Sequence, residues 1–314
     1  MTPRSTNPLT RRTFLQTSAV LCGTAAGMRA GDPHLTFPSK PIDRLAVTSW
    51  PFRAYMEAPG NSDRDRSKPG IDAKDFAAMV AERFGIHNIN PLSGHFRSTE
   101  PAYLEELRNA VAKAGSHIVD LGHGGRSFYH PDKAKRWEAV EYGKKGVDIA
   151  TVIGSPSVRQ HIEGAPGVKP DVNLTAETLG EVAAYGAKKN IVINLENDVP
   201  DGEDPFFLVA VMDKVHSPYL RGLPDFANSM NPTGDAELNY KAVAAMFKHV
   251  FNMSHVKTAY ADDNGKFYEV DLARLFNIAK RAGYHGYFSM EADIPGDPFV
   301  NTAKLKEQTL KYLS

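Results

Sequence analysis

Short apolar runs alternate along this chain with longer stretches in which apolar residues recur every three or four positions. The runs at 45–49, 88–90 (preceded by Gly85-Ile86), 117–121, 149–153, 191–196, 220–223, 253–256 and 286–290 predict eight strands. The stretches at 72–83, 102–114, 133–145, 176–189, 205–215, 241–250 and 272–281 predict helices between them. Lys113-Ala114-Gly115, Lys189-Asn190 and Arg281-Ala282-Gly283 read as helix stops that place a strand next. Strict alternation of strand and helix argues for a parallel sheet. Eight units predict closure into a single-domain α/β fold, the (β/α)8 TIM barrel, over residues 44–314. An open doubly wound sheet is the runner-up. Against it, Trp50-Pro51-Phe52-Arg53 follows the first run where that fold needs a Gly-rich phosphate loop.

The N-terminus adds a targeting expectation. Thr10-Arg11-Arg12-Thr13-Phe14-Leu15-Gln16 and the uncharged stretch to Met28 resemble a twin-arginine (Tat) export signal over residues 1–30. The expected partner there is the Tat export machinery, and the expected location is periplasmic or otherwise exported. Residues 31–43, with Pro33, Pro38 and Pro41, read as an extended linker. No other run is long enough to span a bilayer, so no membrane anchor is expected in the mature form. Without the signal the chain keeps 33 basic against 37 acidic side chains, a balance with no electrostatic footprint for nucleic acid. The one cysteine, Cys22, lies inside the signal, which excludes disulfides, zinc-thiolate sites and a thiol nucleophile from the remainder. A homo-oligomer is compatible with this composition.

Candidate chemistry lies in the second half. Glu196 in IVINLEND, Asp225 in GLPDFAN, His255 in NMSHVKT and Glu291 in YFSMEAD each follow an apolar run, at separations of 29, 30 and 36 residues. A strand plus a helix takes about 30 residues, so the spacing puts one of these groups on each of four consecutive βα units. The C-terminal strand ends of a barrel converge on one site. Three carboxylates and an imidazole there suit a hard or borderline divalent ion. Strand parity agrees: Asn194 and Glu196 share a face, as do Met253, His255 and Lys257, and Tyr287, Ser289 and Glu291.

These motifs resemble the xylose isomerase-like TIM barrels of the sugar phosphate isomerase/epimerase superfamily. Leu195-Glu196-Asn197 is similar to that family's segment after strand five, Asp225-Phe226-Ala227-Asn228 to its Asp-x-x-His/Asn, His255-Val256-Lys257 to its His-x-Lys, and Ser289-Met290-Glu291 with Gly296-Asp297-Pro298 to its strand-eight Glu and following loop. The likeness spans most of residues 43–310. Thr258 stands where the family carries an Asp, and Asn228 where many relatives carry a His, which argues for one metal ion and not a cluster. The resemblance implies a divalent cofactor, Mn2+ first and Mg2+, Co2+ or Zn2+ otherwise, held by Glu196, Asp225, His255 and Glu291.

Proton abstraction beside a carbonyl needs a stabilised enediolate and carboxylates on opposite faces of the sugar. Glu196 and Glu291 are the expected acid/base pair, each also touching the metal. Arg159, His161, Lys257, Asn228, His123, His95 and Trp50 are candidate substrate contacts, and Gly122, Gly124 and Gly125 suggest a flexible loop over the site. The expected activity is isomerisation or epimerisation of an unphosphorylated sugar or keto-sugar, because sugar phosphates are scarce outside the cytoplasm. A keto-sugar or keto-inositol lyase or dehydratase on the same site is the alternative. An exported sugar-binding protein without turnover is a further one.

Overall fold

Aspartate side chains fix where most helices begin. Asp72, Asp132, Asp171, Asp204, Asp235 and Asp271 each accept a first-turn backbone N–H. Each such cap contributes about 1 kcal/mol. In chain order the helices are α1 (Ala73–Phe84), α2 (Pro101–Lys113), α3 (Lys133–Ile153), α4 (Val172–Lys189), α5 (Pro205–Val215), α6 (Ala236–Met246), α7 (Leu272–Arg281) and α8 (Pro298–Leu313). Asp297 serves α8 in the same way, accepting from Phe299 N–H at 2.8 Å. Only α2 lacks a side-chain cap and opens on Pro101, whose missing N–H is no loss in the first turn. The computed structural model describes residues 31–198, 201–231, 233–262 and 265–313. The export signal expected over residues 1–30 lies outside the described residues.

Eight parallel strand positions alternate with these helices: β1 (Leu45–Thr48), β2 (Asn88–Asn90), β3 in two pieces (His117–Ile118 and Leu121–Arg126), β4 (Ser157–Ile162), β5 (Val192–Glu196), β6 (Leu220–Leu223), β7 (Met253–Val256) and β8 (Tyr287–Met290). One run of pairing joins the first piece of β3 to β2, β1, β8 and β7; the other joins the second piece of β3 to β4, β5 and β6. Bridges Leu92–Gly122 and Asp225–His255 close the two runs into one ring. The chain is a TIM barrel, as the alternation predicts. An antiparallel hairpin, Ala259–Ala261 against Phe267–Glu269, rises between β7 and α7.

Three expectations need correction. Residues 149–153, read as the fourth strand, are the last turns of α3, which runs on past its expected end at 145 to the left-handed cap at Gly154 (φ 77°). The true fourth strand was hidden because Ser157, Arg159 and His161 make its alternate positions polar. Second, Gly122, Gly124 and Gly125 belong to β3 and not to a flexible loop, with a bulge between His123 and Gly125. A Cβ on Gly122 would stand 2.9 Å from the Leu92 side chain, and one on Gly124 2.8 Å from the Tyr142 hydroxyl. Third, α8 was not anticipated, although its Thr302, Leu305 and Thr309 are buried at helical spacing.

The main apolar core fills the space between barrel and helices, from Leu45 and Val47 of β1 to Phe276 of α7 and Leu305 of α8. A second cluster, Ala46, Val119, Leu223, Met253 and Tyr287, has Leu35 and Phe37 packed on it. Phe37 meets Phe251 and Tyr287 edge-on at 5.8 and 6.0 Å. No helix among the described residues is long and apolar enough to cross a membrane.

Candidate metal centre

Strand length delivers four side chains to one point. Glu196 ends β5, Asp225 stands two residues beyond β6, His255 lies inside β7, and Glu291 follows β8 directly. One ligand-type atom from each lies within 4.8 Å of all the others, and all four residues are buried. His255 Nδ1 is 2.6 Å from Glu196 Oε1 and 2.8 Å from Glu291 Oε2. Its Nε2 meets Asn90 Oδ1 at 2.8 Å. Asp225 Oδ1 accepts from the N–H groups of Ala227 and Asn228, both at 2.8 Å. Asp225 Oδ2 is buried without a hydrogen bond, its closest cation being Lys257 Nζ at 3.7 Å. Three hard oxygen donors, an imidazole nitrogen and an orphaned carboxylate oxygen are a donor set that fits a divalent cation.

Charge balance sets the protonation of these groups. Burial alone would raise the Glu196 carboxyl, but His255 and Arg159 outweigh it and hold it below the usual range. Glu291 likewise overcomes its burial and lies well below, through Lys257 at 2.9 Å and His255. At Asp225 burial wins, and the carboxyl is pushed up to about 7. Burial opposes the charged forms of His255 and Lys257, yet the surrounding carboxylates raise both well above their ordinary values.

Of the four, His255 and Glu291 line a cavity of about 530 Å3. Trp50, His123, Arg159, His161, Asn228 and Lys257 all line it; His95 does not. Arg159 Nη1 is 2.6 Å from Glu196 Oε2, and His161 Nδ1 is 2.7 Å from Glu203 Oε1. Lys257 Nζ donates to Asn228 Oδ1 at 2.7 Å. Trp50 Nε1 donates to Asp293 Oδ2 at 2.9 Å, with the Arg53 guanidinium 4.4 Å over its ring. His123 stacks on Tyr142 at 4.3 Å. Sequence reasoning missed Asp198 and Asp293, which line the cavity, and Glu203 beside His161. A parity signal existed for Asp198 and Asp293, which stand two residues beyond Glu196 and Glu291.

His95 is a packing residue, its Nδ1 2.7 Å from Ser49 Oγ. Burial pushes its imidazole down from 6.5 to about 4. Its neutral form therefore stabilises the fold fully above pH 6.5, and that contribution is lost as pH falls toward 4. Lowering the pH from 7.5 to 5 should cost the unaltered protein about 2 kcal/mol more than it costs His95→Gln. Urea unfolding of both proteins at the two pH values reads this difference; equal losses would place the proton elsewhere.

The model of a family described as xylose isomerase-like TIM barrel matches residues 79–313. Solved structures agree in fold. A xylose isomerase-like TIM barrel protein from Mycobacterium smegmatis, in complex with magnesium, is 19% identical with a TM-score of 0.63, over 88% of this chain and 97% of that one. A D-allulose 3-epimerase from Methylomonas sp. is 15% identical (TM-score 0.65, 88% and 100%). The 3-keto-D-glucoside 4-epimerase of E. coli is 14% identical (TM-score 0.58, 86% and 98%). Among curated proteins none matches by sequence.

Proposed function

Since the chain belongs to the xylose isomerase-like TIM barrel family, we propose that it is a divalent-metal-dependent isomerase or epimerase of an unphosphorylated sugar or keto-sugar. What carries this proposal is the convergence of Glu196, Asp225 and Glu291 on His255, with His255 and Glu291 lining a cavity large enough for a small organic substrate. The magnesium complex of the mycobacterial relative and the epimerase names of two others support it.

Glu196, Asp225, His255 and Glu291 would hold the ion, with Mn2+ our first choice and Mg2+, Co2+ or Zn2+ compatible with the same donors. A bound divalent ion would supply charge stabilisation at the substrate oxygens while a neighbouring C–H loses its proton. In our proposal one of the two glutamates takes that proton into its carboxylate, leaving the electron pair on the substrate as an enediolate. The other, once it has taken up a proton from solvent, delivers it to the opposite face, giving the epimer, or to the adjoining carbon, giving the isomer. Arg159 and Lys257 keep both carboxylates ionised and thus able to accept. Trp50, held by Asp293, offers an aromatic face to sugar C–H groups.

Arg159, His161 and Lys257 are each already paired with a carboxylate. That supports an uncharged sugar over a sugar phosphate, in keeping with the exported location that we infer from Thr10–Gln16. Free sugars and keto-sugars incubated with the protein and Mn2+ in deuterated water, read by NMR, should give a product carrying deuterium at one carbon. Exchange with phosphorylated sugars alone would overturn the substrate class. Loss of water or an aglycone would replace isomerisation by elimination, and no exchange with any sugar would leave a binding protein.

A further inference from the structure

We propose that Asp120, on the inner side of the barrel, is a positioning residue for the metal centre: through Asn90 it fixes the ring of His255 so that Nδ1 is the nitrogen offered to the cation. The proposal rests on the metal reading above and concerns a residue that contacts none of the four ligands by hydrogen bond. Asp120 is fully buried in the gap between the two pieces of β3. Its Oδ1 accepts from Ser157 Oγ at 2.5 Å and from Asn194 Nδ2 at 2.9 Å. Its Oδ2 accepts from Asn90 Nδ2 at 3.1 Å. The same Asn90 nitrogen donates to the Asp120 backbone carbonyl at 3.0 Å. Two acceptors on one residue thus claim the Asn90 amide nitrogen. Turning the amide over would set its oxygen against two other oxygens.

The Asn90 oxygen therefore faces His255 Nε2, 2.8 Å away. An amide oxygen only accepts, so the proton must sit on Nε2. In the neutral ring the lone pair then lies on Nδ1, the nitrogen that faces Glu196 and Glu291. Histidine ligands usually have their free N–H held by an oxygen that sets tautomer and ring angle. Here that role is split between an amide at the ring and a carboxylate behind it. Asn252 ties the far side of the network, donating to Ser157 Oγ at 2.7 Å and to the Val119 carbonyl at 2.9 Å. Asp120 is thus held on its Ser157 side as well as at Asn90.

The test compares the full chain with Asp120→Asn, Asn90→Leu and the double variant by calorimetric titration with Mn2+. Each single change should weaken binding about 10- to 100-fold. Because Asp120 acts through Asn90, Asp120→Asn should cost nothing further in the Asn90→Leu background. Independent, additive losses would overturn the relay. A second readout needs no variant: with labelled histidine and Zn2+, the 15N spectrum of the unaltered protein should place the proton on Nε2 and the metal shift on Nδ1. The reverse assignment would overturn the proposal even if the variants fail to fold. An unaltered protein that binds no divalent ion overturns the metal reading itself, whereas unchanged Mn2+ binding by Asp120→Asn overturns only the relay.

Discussion

Glutamine at position 196 or at position 291 is expected to lower turnover by about 10^3-fold or more at saturating metal. The amide keeps an oxygen for the ion but cannot accept a proton. The two variants should also differ from each other. Loss of the abstracting carboxylate abolishes deuterium exchange into unreacted substrate. Loss of the returning one leaves that exchange in place and removes only product. Each change strips a counter-charge from a buried cation, Arg159 for Glu196 and Lys257 for Glu291. Uncompensated buried charges cost about 3–5 kcal/mol, so rates belong at a temperature where circular dichroism reports both variants folded. Near-normal turnover in either would remove that residue from the chemistry.

Metal removal should be the next largest effect. A chelator is expected to abolish activity, and the melting temperature should fall by the order of 10 °C relative to protein at 1,000 times its dissociation constant, where binding contributes about 4 kcal/mol. Mn2+ should restore both. Affinity should decline as pH falls through about 7, because Asp225, raised to that value by burial, then takes a proton in competition with the ion. A melting curve indifferent to chelator and metal, with turnover intact, would refute the role of the ion.

The barrel could be read from sequence wherever a short apolar run between helix signals marks a strand. Leu45–Thr48 and Val192–Glu196 are buried throughout, and both were placed within a residue or two. Reading failed at β4, where Arg159 and His161 break the apolar run that marks a strand. The four-residue ladder was legible because each member ends or follows such a run. Asp120 was not. It lies in a break of β3, and nothing local marks a carboxylate whose partners come from β2, β4 and β5. Pairing across 30 to 74 positions is a property of closure, which periodicity does not encode.

The glycines of β3 have a consequence for how the cavity can change. Gly122 and Gly124 present bare main chain to it, and a Cβ added at either would stand within 3 Å of Leu92 or Tyr142. These two positions have no side chain to cut back. Mutation there can only add bulk, and even alanine must first displace a neighbour. Selectivity at these two positions therefore drifts in one direction, toward smaller ligands, while changes that admit larger ones must arise at lining positions with a side chain to shorten, such as Trp50, Tyr142 or Tyr260.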